Sequence, residues 1–249
     1  MQRFFIELFY KGTHYAGFQV QDNANTIQAE VEKALEIYFK NKFSLTGSSR
    51  TDAGVHAFQN YFHIDMEGLP NDDILARAVY HINAILPPDI VIRRIFQVEG
   101  DLHCRFSAVS RTYEYKIYQH KNPFLADTAY FFPLRLEIDL LQQGASIISR
   151  YTDFESFAKR NSQVHTFNCM IHKSKWKLEN GCYIYSVTAN RFLRGMVKGL
   201  VGTMLKLGRK KIILEQFKEI IESKNSVGAD FSVPSHGLSL INVCFGEEI

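Results

Sequence analysis

Apolar residues change their spacing several times along this chain, and each change predicts a different element. Phe4-Phe5-Ile6-Glu7-Leu8-Phe9-Tyr10 is dense in aromatic and branched side chains and reads as a strand, followed by the polar, Gly-containing loop Lys11-Gly12-Thr13-His14-Tyr15-Ala16-Gly17-Phe18-Gln19. Ile27, Val31, Ala34, Leu35, Tyr38 and Phe39 recur at i, i+4, i+7 and i+8, the stripe of a helix facing a core, with Asn25 or Thr26 available as its cap. A strand follows at Phe58-Gln59-Asn60-Tyr61-Phe62-His63-Ile64. Pro70 and Asn71 then introduce a helix over 72–86, with Ile74, Ala78 and Ile82 in one row and Leu75 and Val79 beside it; Pro87-Pro88 ends it, because proline cannot continue the hydrogen-bond ladder. The strand 90–96 completes a strand, helix, strand, helix, strand order, which is compatible with a split βαβ, ferredoxin-like half.

The remainder supplies a second set of elements. Residues 111–118 alternate so that Tyr113, Tyr115 and Ile117 share one strand face. A helix is expected over 140–150, and a hairpin over 174–178 and 182–189 around Asn180-Gly181, a pair suited to a tight turn with positive φ. Residues 191–207 read as a strong helix whose apolar stripe is Leu193, Met196, Val197, Leu200, Val201 and Met204, with Arg191, Arg194 and Lys198 on another face. A last helix is expected over 214–223. No short repeat, low-complexity segment or flexible linker interrupts the order.

Composition narrows the class. With 249 residues, 46% of them hydrophobic, the chain can bury a substantial core as one large domain or two smaller ones. Its apolar runs fall well short of the ~18 residues of a membrane span, and the strand pattern begins directly after Met1-Gln2-Arg3 instead of a signal peptide. Cys104, Cys169, Cys182 and Cys244 lie far apart with no Cys-x-x-Cys pair, which suggests neither a zinc site nor a disulfide framework and fits a reducing cytoplasm. A net charge of +3 is too mild to diagnose nucleic-acid binding, so any RNA affinity must come from local clusters. Such clusters occur at Arg93-Arg94, at Arg191 with Arg194 and Lys198, and at Lys206-Leu207-Gly208-Arg209-Lys210-Lys211; each equally suits a solvated face.

The stretch Gly47-Ser48-Ser49-Arg50-Thr51-Asp52-Ala53-Gly54-Val55-His56-Ala57 holds the candidate chemistry. Its small and polar residues predict a loop whose backbone can approach a ligand closely. Asp52 offers a carboxylate able to act as base or nucleophile, and Arg50 a planar cation suited to phosphate or to a base edge. An Arg-x-Asp in a loop also forms local ion pairs and Asx-turns, and the Gly-x-x-x-x-Gly-Lys-Ser/Thr spacing of a phosphate-cradling loop is absent.

Read as a string, Arg50-Thr51-Asp52-Ala53-Gly54-Val55-His56-Ala57 resembles the active-site loop of the tRNA pseudouridine synthase A family. Further family-like pieces follow in order: Tyr10, Gly12, Gly17 and Gln19; Thr26-Ile27-Gln28 and Glu30; Asn83 with Leu86-Pro87-Pro88-Asp89-Ile90; residues 101–108; Arg111-x-Tyr113-x-Tyr115; Phe192-Leu193-x-x-Met196-Val197-Lys198; and 234–240. Three departures stand out: Ser49 and Cys104 occupy positions where Gly and Ala are usual, and Lys198 stands where the family has Arg. Lysine keeps the charge but loses bidentate geometry, and a glycine required for positive φ would make Ser49 alter the path into the loop.

What the resemblance implies is an α/β fold of the α+β type: two ferredoxin- or RRM-like halves with mixed, mainly antiparallel sheets and a central catalytic cleft. Residues 1–104 would carry the catalytic loop, and 105–249 the base-stacking tyrosine and the basic helix. The implied reaction is isomerisation of uridine to pseudouridine at the 3′ side of the tRNA anticodon stem-loop, without metal or other cofactor, by a cytoplasmic homodimer whose partner is tRNA. Asp52 would be the nucleophile, Tyr113 would stack on the uracil, and Arg50 would fill the space of the flipped nucleotide or hold its phosphate. Lys198 would pair with the carboxylate, which in a closed site needs a nearby cation to stay ionised. Tyr115 reads as an ordinary sheet residue. A non-catalytic RNA-binding module of similar architecture is the alternative, as is a loop-capping role for Asp52.

Overall fold

Alternation and helical periodicity each find their element in the computed structural model, which describes residues 1–67, 72–159 and 164–246. The chain forms two compact units, Met1–Val109 with Leu240–Ile249, and Ser110–Ser239. The boundary expected from the sequence lay at 104/105.

In the first unit, β1 (Gln2–Tyr10) leads to α1 (Ile27–Phe39), a two-residue β2 (Thr46–Gly47), β3 (His56–Met66), α2 (Asp72–Ile85) and β4 (Ile90–Val98). Strand β1 pairs antiparallel with β3, setting Phe4 opposite Ile64 and Ile6 opposite Phe62, and antiparallel with β4 on its other side. Strand β2 pairs with Phe62 and His63 of β3. The order β4-β1-β3-β2 is that of a ferredoxin-like βαββαβ unit. The sequence pattern did not mark β2, too short to show alternation, nor the strands Tyr130–Phe131 and Leu238–Cys244 further along the chain.

Helix α1 starts where Thr26 accepts a hydrogen bond from the Ala29 amide at 3.3 Å, and it buries Ile27, Val31, Ala34 and Leu35. Phe4, Ile6 and Leu8 of β1 and Ala78 and Ile82 of α2 are buried as well, while Ile74, assigned to the same row of α2, is exposed. Pro70 and Asn71 lie outside the described residues. The stop at Pro87-Pro88 holds: α2 ends at Ile85.

The second unit repeats strand, helix, strand, strand, helix. Strand β5 (Ser110–Tyr118) is followed by β6 (Tyr130–Phe131), α3 (Ile138–Ile148), β7 (Ile171–Glu179), β8 (Cys182–Ala189), α4 (Met196–Gly208) and α5 (Leu214–Glu222). Strand β8 lies between β5 and β7, antiparallel to both, and the short β6 runs parallel to β5, so the pairing is mixed but mainly antiparallel. The hairpin turn has φ of 51° at Asn180 and 74° at Gly181, the left-handed pair that a two-residue turn needs. The chain closes with β9 (Leu238–Cys244). Among the described residues, no helix is long and apolar enough to cross a membrane.

One predicted helix begins later than expected. Helix α4 starts at Met196, not near Arg191, because Gly195 adopts φ 75°, ψ −3° and interrupts the right-handed run. Leu193 is buried nonetheless, in the loop before the helix. Apolar spacing alone does not separate a helical turn from a packed loop residue. Arg191 and Arg194 therefore share no helix face with Lys198.

Candidate active site

The loop 47–57 is held by a network of hydrogen bonds to its backbone and its buried side chains. Asn60 of β3, fully buried, is the hub: its Nδ2 donates to Ser49 O at 2.9 Å and to Tyr10 Oη at 3.2 Å, and its Oδ1 accepts from Ser48 Oγ at 2.7 Å. Tyr10 Oη is in turn hydrogen-bonded to Thr51 Oγ1 at 2.8 Å. The Phe18 amide donates to Thr51 O at 3.0 Å, and the Val55 amide to Asp52 O at 3.1 Å. His56 Nδ1 accepts from the Gly12 amide at 3.0 Å. Gly12 can be nothing larger, since a Cβ there would stand 2.0 Å from Val55 O. Further out, Tyr15 Oη donates to Asp89 Oδ1 at 2.6 Å, which ties the 11–19 loop to the turn after α2.

On this base, Thr51 is buried whereas Arg50, Asp52 and Ala53 are exposed. The backbone around the carboxylate is thus held while its side chain meets solvent. Gly17 makes an isolated bridge with Asp52. Ser49 is not among the positive-φ residues, so its backbone does not require the usual glycine; its buried Oγ has no hydrogen-bond partner. The loop therefore accepts Ser49 without backbone strain.

The other predicted site residues lie in the second unit. Tyr113 on β5 is half-buried and stands edge-on to Phe192, with ring centroids 5.1 Å apart at 85°. Tyr115, two residues on, is wholly buried and donates from Oη to Pro234 O at 2.7 Å, a structural role. Burial pushes its hydroxyl far up from the ordinary range, so it stays protonated. Lys198 is partly buried in the first turn of α4, with Nζ 3.4 Å from Ser235 Oγ. A cation there is opposed by the positive end of the helix dipole, so stability alone does not favour it.

His63, His103 and Cys104 form a group whose ligand-type atoms lie within 4.8 Å of one another. Their hydrogen bonds argue for a structural role. His63 Nδ1 accepts from the Cys104 amide at 3.2 Å, His103 Nδ1 accepts from the Arg105 amide at 3.1 Å, and Cys104 Sγ donates to Thr46 O at 3.0 Å. Metal-binding histidines instead donate their second ring N–H to an acceptor. Cys104, fully buried, thereby ties the 101–108 turn to β2.

Sequence reading missed Asn60 and His56. For Asn60 the signal was present: a polar residue inside a strand, at an inward position, needs buried partners.

Two α/β units of this topology, the first presenting a carboxylate and a guanidinium from an anchored loop, define a pseudouridine synthase type of fold. The chain belongs to the tRNA pseudouridine synthase family, whose model matches residues 9–107 and 151–246. Arg50, Asp52 and Lys198 fall inside the matched segments and Tyr113 between them. It is similar to tRNA pseudouridine synthase A of Parabacteroides distasonis, 38% identical over 100% of this chain and 98% of the relative. It is also similar to the proteins of that name from Porphyromonas gingivalis, at 39% over 100% and 99%, and Staphylococcus aureus, at 33% over 98% and 91%.

Proposed function

We propose that this chain isomerises uridine to pseudouridine in the anticodon stem-loop of tRNA, on its 3′ side, with Asp52 as the nucleophile. Membership in the family supports the reaction. The observation that carries the residue assignment is the contrast within the 47–57 loop, where the side chains of Ser48, Ser49 and Thr51 are buried and those of Arg50 and Asp52 are exposed. A protein that only held RNA would gain nothing from presenting a carboxylate to an anionic ligand. The reaction exchanges a nitrogen–carbon glycosidic bond for a carbon–carbon bond within one nucleotide, so no second substrate is consumed.

Arg50 is read as the group that occupies the space left by the flipped uridine or holds its phosphate, because its guanidinium is exposed and planar. Tyr113 is read as the stacking ring, its edge contact with Phe192 fixing the ring's orientation. Lys198 is read as the cation that favours the charged form of the reacting carboxylate. Likeness to the family is also the ground for a homodimer, and four free cysteines suit a reducing cytoplasm.

The test is incubation of purified protein with an unmodified tRNA transcript and no added cofactor, followed by mapping of pseudouridine. Product on the 3′ side of the anticodon stem-loop is expected. Product elsewhere, or none, contradicts the assignment, and sedimentation of the same sample tests the dimer.

A further inference from the structure

Lysine is a point charge on a flexible four-carbon stem, so an ammonium that must act at one place needs a restraint that arginine's planar fork largely supplies by itself. In this chain one such restraint comes from the segment 230–237. Asp230 is locked against α4: its amide donates to Thr203 Oγ1 at 3.0 Å, and a Cβ at Gly202 would stand 2.1 Å from its carbonyl oxygen. Thr203 Oγ1 also donates to Gly199 O at 2.7 Å, and Lys206 Nζ lies 3.7 Å from Asp230 Oδ2. At the other end, Tyr115 Oη holds Pro234 O at 2.7 Å, and the Tyr115 ring leaves no room for a side chain at Gly237, where a Cβ would meet Cζ at 2.6 Å. The turn between these anchors carries Ser235, whose Oγ accepts from Lys198 Nζ at 3.4 Å.

We propose that Ser235, held in place by Tyr115 through the 234–237 turn, is a positioning residue for the Lys198 ammonium. The inference rests on the reading of Lys198 as the cation of the site. It assigns Ser235 no contact with substrate. Its consequence is that loss of the Ser235 hydroxyl lowers the rate of the chemical step while leaving tRNA affinity alone, and that the loss is confined to a protein with lysine at 198.

Single-turnover rates and tRNA dissociation constants for a small set of variants test this, with thermal midpoints confirming that each folds. Ser235→Ala should slow the chemical step by about three- to tenfold, the range of one ordinary hydrogen bond, as suits a contact of 3.4 Å, with Kd within about twofold. Ser235→Thr, which keeps the hydroxyl, should restore most of that rate. Tyr115→Phe, which releases the Pro234 carbonyl, should move the rate in the same direction as Ser235→Ala. Added to Lys198→Arg, Ser235→Ala should change the rate by less than about twofold, because the guanidinium is less dependent on an outside restraint. If Lys198→Met abolishes turnover and Ser235→Ala has the wild-type rate, the positioning role is wrong and the reading of Lys198 stands. If Lys198→Met itself keeps the wild-type rate, the reading of Lys198 fails and takes this proposal with it. A Ser235→Ala effect on Kd instead of rate, or one as large with arginine at 198, would assign Ser235 to RNA contact or to folding and overturn the proposal.

Discussion

Tyr113 and Arg50 illustrate how a side chain can remain accessible on a rigid backbone. Tyr113 sits mid-strand, its backbone fixed opposite Val187 of β8, and it is half-buried with its ring edge-on to Phe192. Stacking on a base contributes about 1–3 kcal/mol and uses the ring, not the hydroxyl. Tyr113→Phe should therefore keep substantial turnover and Tyr113→Ala lose most of it; equal rates for the two would remove Tyr113 from the site. Arg50 stands out in the sequence because it opens an eight-residue family string, whereas the loop's acceptance of Ser49 shows only in the backbone, where Ser49 is not among the positive-φ residues. Lys198 was legible as a charge, but its partner Ser235 was not, because the two meet through a turn 37 residues further along the chain.

At the scale of elements, the loop depends on a strand residue that the loop's own sequence does not announce. Asn60→Ala removes the shared partner of Ser48, Ser49 and Tyr10, leaving buried polar groups unsatisfied at about 1–3 kcal/mol of lost stability. Denaturant titration should show that loss, and the folded variant should also turn over more slowly because the Asp52 backbone is no longer held. An unchanged rate in fully folded Asn60→Ala would show that the network serves stability alone. The helices and the longer strands β1, β3, β4, β5, β7 and β8 were readable from period and capping, down to Thr26 at the start of α1 and the Asn180-Gly181 turn, whereas β6 and β9 were not. The start of α4 was not, since Leu193, Met196 and Val197 carry one apolar spacing across a glycine whose left-handed φ is a matter of packing, and β2 is too short for any pattern.

For the whole molecule, two α/β sets were legible from element order, while the return of Leu240–Ile249 to the first unit was not, because nothing local in a strand names its neighbours. Folding also sets a pH dependence. Burial, aided by the nearby Arg3 and His103 charges, pulls the His63 pKa down to about 4. An unfolded histidine takes up its proton near pH 6.5, so the unfolded state binds a proton that the folded state refuses. Stability should therefore fall as pH drops from about 6.5 towards about 4. His63→Gln, which keeps an acceptor for the Cys104 amide, should flatten part of that fall in denaturant midpoints; an identical pH slope would show that His63 does not contribute. The central claim is that an exposed carboxylate on an anchored loop performs the isomerisation, and Asp52→Asn tests it most directly, because the amide keeps the shape and loses the nucleophile. Single-turnover conversion of an unmodified tRNA transcript, measured beside tRNA affinity, should show no product above about 1% of the wild-type rate, with Kd within a few fold. Turnover by Asp52→Asn above that level, with RNA bound normally, would contradict the account.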